Sequence, residues 1–169
     1  MTEFTNQIFS AQAIAGRVKR LAKEISAAES SQPLELVGLM NGALVFLADL
    51  IRHLDFDFPL HLVRVQSYQG DRQGEVKVTL GFDPKGKRLL LVDDILDSGG
   101  SLIALMGELN RQGAEVLKTC CLLDKAKSPL QADYVGFHCP DLWVVGYGMD
   151  YQGLYRNLPF IAELPPTLR

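Results

Sequence analysis

Positive charge is in short supply in this sequence: 17 lysines and arginines stand against 20 aspartates and glutamates, a formal charge of −3 with a pI near 5.6 over 169 residues. Without a global basic field there is no electrostatic footprint for nonspecific adhesion to nucleic acid or membranes, so any anionic ligand must be held by a local device. Cysteine is equally scarce. Cys120 and Cys121 adjoin in an apolar run and Cys139 stands alone, with no CxxC spacing, which excludes a zinc ribbon or thioredoxin-like site and leaves buried thiols. Long apolar runs are missing too, for the longest, around residues 37–51, is interrupted by Asn41, Gly42 and Asp49 and falls short of the ~20 residues that span a bilayer. The first ten residues lack the basic-then-apolar plan of a secretory signal, and no repeat, linker or low-complexity tract divides the chain. These absences leave one expectation, a single domain over residues 1–169 in a soluble, reducing, cytoplasmic setting.

What is present is the composition of a globular core, 47% hydrophobic and 22% charged. Between residues 10 and 29, Ile14, Val18, Leu21 and Ile25 recur at three- and four-residue steps, predicting an amphipathic helix capped by Ser10. Residues 34–39 read as a buried strand feeding a second helix through Ile51, and residues 60–65 as the next strand. The stretch from Gln66 to Gly86 turns polar and glycine-punctuated, with an exposed strand or hairpin arm over residues 75–80. Residues 88–92 form a continuous apolar strand, and Leu102, Leu105, Met106 and Leu109 follow at helical spacing until Gly113. Further strands are expected over residues 116–123, 143–147 and, as a short one, 135–137. Apolar strands alternating with helices indicate an α/β fold with a parallel sheet covered on both faces, whose ligands gather at the carboxyl ends of the strands.

The stretch LLLVDDILDSGGSL, residues 89–102, passes from a buried strand through acids and small residues into a helix. Gly99 and Gly100 let backbone amides turn inward, Ser98 and Ser101 offer hydroxyls, and the helix start presents unpaired N–H groups, which together make a phosphate cradle. An ordinary strand-to-helix turn capped by Asp97 or Ser98 would use the same loop residues, but it leaves the acids unexplained. Asp93 and Asp94 at the expected end of the strand and Asp97 in the loop converge beside an anion site, an unfavourable grouping that magnesium and a polyhydroxy phosphate would satisfy. A Walker-type loop is excluded because no GK[ST] follows the glycines.

VDDILDSGGS resembles the phosphoribosyl-pyrophosphate motif of the type I phosphoribosyltransferases, and the chain around it, over nearly its whole length, resembles their hypoxanthine-guanine branch. The resemblance implies a Rossmann-like core with a small hood and a flexible loop. It implies transfer of a phosphoribosyl group from phosphoribosyl pyrophosphate to hypoxanthine, guanine or xanthine, with magnesium, in a homodimer or homotetramer. Residues 97–101 (Asp97, Ser98, Gly99, Gly100, Ser101) would hold the 5′-phosphate, Asp93 and Asp94 would meet the ribose hydroxyls and the metal's waters, and Asp97 would handle the proton on the purine ring nitrogen.

The same resemblance extends downstream, where LLDKA places Lys125 after a strand to bond the 6-oxo group of the base. In PDLWVVGYGMDYQGLYR, Trp143 would stack on the purine, Val144 would bond it through its backbone, Asp150 would hold magnesium and Arg156 would reach pyrophosphate. Taken singly, such a Trp is ordinarily core and such a Lys or Arg ordinarily surface; their appearance in order carries the weight. Met40-Asn41-Gly42 corresponds to the pyrophosphate loop, bound through backbone amides and with an unusual peptide geometry. Asn41 departs from the lysine many members carry there. Ser67-Tyr68 corresponds to the start of the flexible catalytic loop, for which a functionless surface hairpin is the plain alternative. A regulatory RNA-binding protein of the same fold would call for a basic face that this chain lacks, and a receiver-type module would not account for the series from Trp143 to Arg156.

Overall fold

The computed structural model describes residue 4, residues 6–67 and residues 76–169. Its elements run β1 (Gln7–Phe9), α1 (Ala11–Glu29), β2 (Glu35–Met40), α2 (Leu44–Ile51), β3 (Leu60–Ser67), β4 (Val76–Thr79), β5 (Arg88–Leu96), α3 (Gly100–Arg111), β6 (Val116–Asp124), β7 (Tyr134–His138), β8 (Val144–Val145) and β9 (Ile161–Glu163). Helix α1 starts where the sequence placed it. Ser10 is extended and its hydroxyl accepts the Ala13 amide at 3.2 Å, while Ile14, Val18, Leu21 and Ile25 turn inward as one buried stripe.

Six strands form the main sheet in the order β4-β3-β2-β5-β6-β7. All pairings are parallel except that of the edge strand β4, which runs antiparallel to β3. Because successive strand residues point to opposite faces, Leu90 and Val92 of β5 pack with α1 and α2, whereas Leu89 and Leu91 pack with α3. The same alternation sends Cys120 and Cys121 to opposite faces, both buried and unpaired as expected, and burial raises both thiols, Cys121 to about 12.

This connectivity makes a crevice. After β2 the chain crosses through α2 to β3 on one side, and after β5 it crosses through α3 to β6 on the other, so the winding reverses between β2 and β5. The pairing of β2 with β5 ends at Gly38 opposite Val92, yet β5 continues along β6 as far as Leu96 opposite Asp124. Here the structure corrects the expected strand end at Val92: Asp93 and Asp94 lie within β5, on a stretch that β6 supports and β2 has left. β6 supplies the hydrogen bonds that let the strand run on through the acids.

A second correction concerns residues 143–147. Only Val144–Val145 is extended, and it belongs to a separate antiparallel sheet of order β1-β9-β8. Gly146, Tyr147 and Gly148 take positive φ values of 99°, 49° and 98°, a left-handed run that no strand accommodates. Among the described residues no helix is long and apolar enough to cross a membrane.

Helix α2 lies behind the loop at Asn41-Gly42, anchored by Phe46, which is fully buried. Phe46→Ala is expected to cost about 3–5 kcal/mol in a urea melt; a loss near 1 kcal/mol, about that of an average substitution, would mean that this helix is not packed as described.

Candidate active site

Four segments converge on a cleft of 370 Å³ in the crevice: Met40, Asn41 and Gly42 after β2; Asp93, Asp94 and Ile95 on β5; residues 97–101; and Asp150 with Arg156. The loop from Asp97 leads into α3 through Gly99, which has φ 78° and supplies no side-chain cap. Among the described residues no side chain caps the first amides of α3, the arrangement that receives an anion at a helix start. A side chain at position 99 would be strained by that positive φ and would push the Ser128 hydroxyl aside, for its Cβ would lie 2.2 Å from it.

Asp93 and Asp94 line the cleft, partly buried side by side. Burial pushes the Asp93 carboxyl well above the usual carboxylate range, and the adjacent Asp94 charge adds to this. Asp94 is raised less, because burial is offset by hydrogen bonds and by the positive field of Arg156. Asp93 accepts the Asp94 amide at 2.9 Å. Opposite them, Gly42 comes so close that a Cβ there would lie 2.1 Å from an Asp94 oxygen. The preceding Met40–Asn41 peptide is cis, the unusual geometry expected at this loop.

Asp150 accepts the Gly153 amide at 2.7 Å and pairs with Arg156 at 2.6 Å, while Arg156 also donates to the Gly148 carbonyl at 2.6 Å. Gly148 in turn abuts the Gly42 carbonyl, which a Cβ would approach to 2.4 Å, so glycines lock the carboxy-terminal turn against the loop after β2. Among the described residues no three His, Cys, Asp or Glu side chains form a metal cage. Magnesium needs less, commonly one or two carboxylates with waters and substrate oxygens, and the repelling Asp93–Asp94 pair with Asp150 across the cleft fits it.

Beside this cleft lies a second group. Lys125, only 9% exposed, donates to Asp97 at 2.8 Å. Trp143 is 60% exposed with its ring perpendicular to that of Tyr151, and its carbonyl accepts the Leu164 amide, while Val144 pairs with Glu163. Lys125, Trp143 and Val144 thus do not line the cleft; Asp97 joins the two groups, lining one and touching the other. The backbone of Ser67 ends β3, and Tyr68 lies outside the described residues.

Sequence reasoning missed Arg64, which donates to Asn41 Oδ1 at 3.0 Å, and missed Lys127 and Asp141, an ion pair next to Asp97. An arginine inside the apolar run LHLVRVQS was a faint signal for the first. A lysine two positions after Lys125 reads equally well as solvated surface, so nothing distinguished the second.

The family model described as the phosphoribosyl transferase domain matches residues 5–152. The chain is 38% identical to the hypoxanthine-guanine phosphoribosyltransferase of Bacillus subtilis (strain 168), over 95% of this chain and 93% of that one. The chain belongs to the hypoxanthine-guanine phosphoribosyltransferase family. It is 44% identical to the Aquifex aeolicus (strain VF5) member, over 85% of each chain. Among solved structures, the Bacillus anthracis hypoxanthine-guanine phosphoribosyltransferase matches with TM-score 0.86 at 36% identity, covering 95% of this chain and 98% of that one. A Trypanosoma cruzi hypoxanthine phosphoribosyltransferase variant, in a ternary substrates complex, matches with TM-score 0.91 at 31% identity over 99% of both chains. Membership fixes the protein as a phosphoribosyl-transferring enzyme of purine salvage.

Two consequences of the geometry are measurable. Gly42→Ala forces the loop away from Asp94, and a displacement near 1 Å is expected to lower turnover by about 10²-fold while the fold is kept, read by steady-state kinetics beside circular dichroism. The raised carboxyl of Asp93 means that the folded state holds a proton more tightly than the unfolded chain, so stability falls as pH rises through the folded-state value. Metal-free Asp93→Asn escapes that penalty and should melt above wild type by a few degrees near pH 8, with the difference closing below about pH 4. A variant that melts lower across the whole range would contradict this reading of the pair.

Proposed function

We propose that the chain transfers the 5-phosphoribosyl group of phosphoribosyl pyrophosphate to a 6-oxopurine, hypoxanthine or guanine, yielding IMP or GMP and pyrophosphate with magnesium. The observation that carries the reading is the uncapped start of α3 beside two raised carboxyls, in one cleft with Asn41, Gly42 and Arg156. The amides and hydroxyls of residues 98–101 would hold the 5′-phosphate. Asp93 and Asp94 would accept the ribose hydroxyls, whose protons relieve the crowding of the two acids. The backbone at Asn41-Gly42 and the Arg156 guanidinium would grip pyrophosphate, and Asp150 holds that guanidinium at the cleft. Asp150 would hold magnesium, whose waters Asp93 and Asp94 would meet, and the ion would supply neutralisation of leaving-group oxygens.

The base would lie on Trp143, bonded by the backbone of Val144. A 6-oxopurine presents a ring N–H and a carbonyl oxygen side by side, and the Asp97 carboxylate beside the Lys125 ammonium is the complementary pair. Lys125 would donate to the 6-oxo group and Asp97 would accept the ring proton as nitrogen attacks the anomeric carbon. Adenine, with a 6-amino donor facing Lys125, would be a poor substrate. Residues 1–169 would act as one domain, the segment beginning at Ser67-Tyr68 would close over the cleft to exclude water, and the exposed Leu44 and Leu62 suit a homodimer or homotetramer in the cytoplasm.

The test offers hypoxanthine, guanine, xanthine and adenine in turn with phosphoribosyl pyrophosphate, with and without chelator, and follows nucleotide formation. Turnover with hypoxanthine or guanine, little with adenine and none under chelation is expected; equal use of adenine would remove Lys125 from its role. Asp97→Asn should keep phosphoribosyl-pyrophosphate binding while kcat falls roughly 10²–10⁴-fold.

A further inference from the structure

Lys125 and Asp97 do not stand alone. Asp124 at the end of β6 accepts the Ala126 amide at 2.8 Å, and Ala126 takes φ 54°, a left-handed turn that carries Lys127 back alongside Lys125. Lys127 pairs with Asp141 and also lies 4.0 Å from Asp97 Oδ1. Asp141, from the turn after β7, lies 3.9 Å from Lys125. The four groups form a ring of alternating charge in which each lysine faces both aspartates.

The ring bears on a conflict within the reaction proposed above, on which this inference rests. The Lys125 ammonium has three N–H donors and need not leave Asp97 outright to reach the base, but the carboxylate and the purine oxygen draw it in competing directions. Lys125 is 9% exposed, so water gives it little help in leaving, whereas Lys127 is 42% exposed and free to slide. We propose that Lys127 and Asp141 are a positioning pair, with Lys127 taking over the Asp97 carboxylate as the purine draws Lys125 away and Asp141 setting how readily Lys127 is released.

The two members then act in opposite directions. Without Lys127, Asp97 has no second cation among the described residues and keeps Lys125, so the base must compete for it. Without Asp141, Lys127 is released toward Asp97 and Lys125 is freed beforehand. A role confined to holding the loop would move both variants the same way.

The test measures KM for hypoxanthine, KM for phosphoribosyl pyrophosphate and kcat on the full-length wild type, Lys127→Met, Lys127→Arg, Asp141→Asn and the Lys127→Met/Asp141→Asn double variant, with thermal melts beside them. The expected result is a rise of about two- to fivefold in the hypoxanthine KM for Lys127→Met, the scale of one partly exposed ion pair, with recovery in Lys127→Arg. Asp141→Asn should lower that KM, the effect should vanish in the double variant, and KM for phosphoribosyl pyrophosphate should stay put throughout. A hypoxanthine KM unmoved by Lys127→Met, raised alike by both single variants, or shifted together with that of phosphoribosyl pyrophosphate overturns the inference. A wild type that turns over no 6-oxopurine overturns the underlying reading and this inference with it.

Discussion

Two neighbouring carboxylates on a strand that is buried for most of its length make the constraint around which the rest is arranged. Asp93 and Asp94 are too close and too dry to be comfortable as a pair, and β5 carries them past the point where β2 turns away. That divergence gives the acids an opening to face. It also explains the glycine at position 42, since the loop leaving β2 passes against Asp94 with no room for a side chain. The same loop is clasped by Gly148, so the crowding of one acid reaches through two glycines to the turn that presents Asp150 and Arg156.

Against this acidic floor the uncapped start of α3 supplies the opposite polarity without any lysine. Amides at a helix start attract an anion at fixed distance, and acids beside them favour hydroxyls and a divalent cation over further anions. A sugar phosphate bearing a diol combines these demands in one molecule. Asp97 then divides the site, its backbone in the phosphate loop and its carboxylate against Lys125, so that the phosphate half and the base half meet at one residue.

Much of this is legible in the sequence. The 3.6-residue stripe of α1 and its Ser10 cap, the apolar strands and the small-residue loop into α3 each follow from local rules that tertiary structure had no reason to override. What escaped depended on partners distant in sequence. β1 and β9 are three residues each and are held by pairing across the chain, β9 between β1 and β8, and β5 outran its apolar pattern because β6 supports its backbone through the acids. At residues 146–148 the β propensity of tyrosine gave way to left-handed backbone, which in Tyr147 no composition rule would suggest. The site residues divided the same way: a contiguous motif announced the phosphate loop, whereas Arg64, Lys127 and Asp141 gain meaning only from what the fold places opposite them.

Every role in the cleft follows from where a phosphate sits relative to the acids, and a crystal structure with IMP bound measures that directly. The phosphate should lie within hydrogen-bond distance of the amides of residues 98–101, with the ribose hydroxyls on Asp93 and Asp94 and the base over Trp143. A phosphate held elsewhere, with those amides facing only solvent, would contradict it.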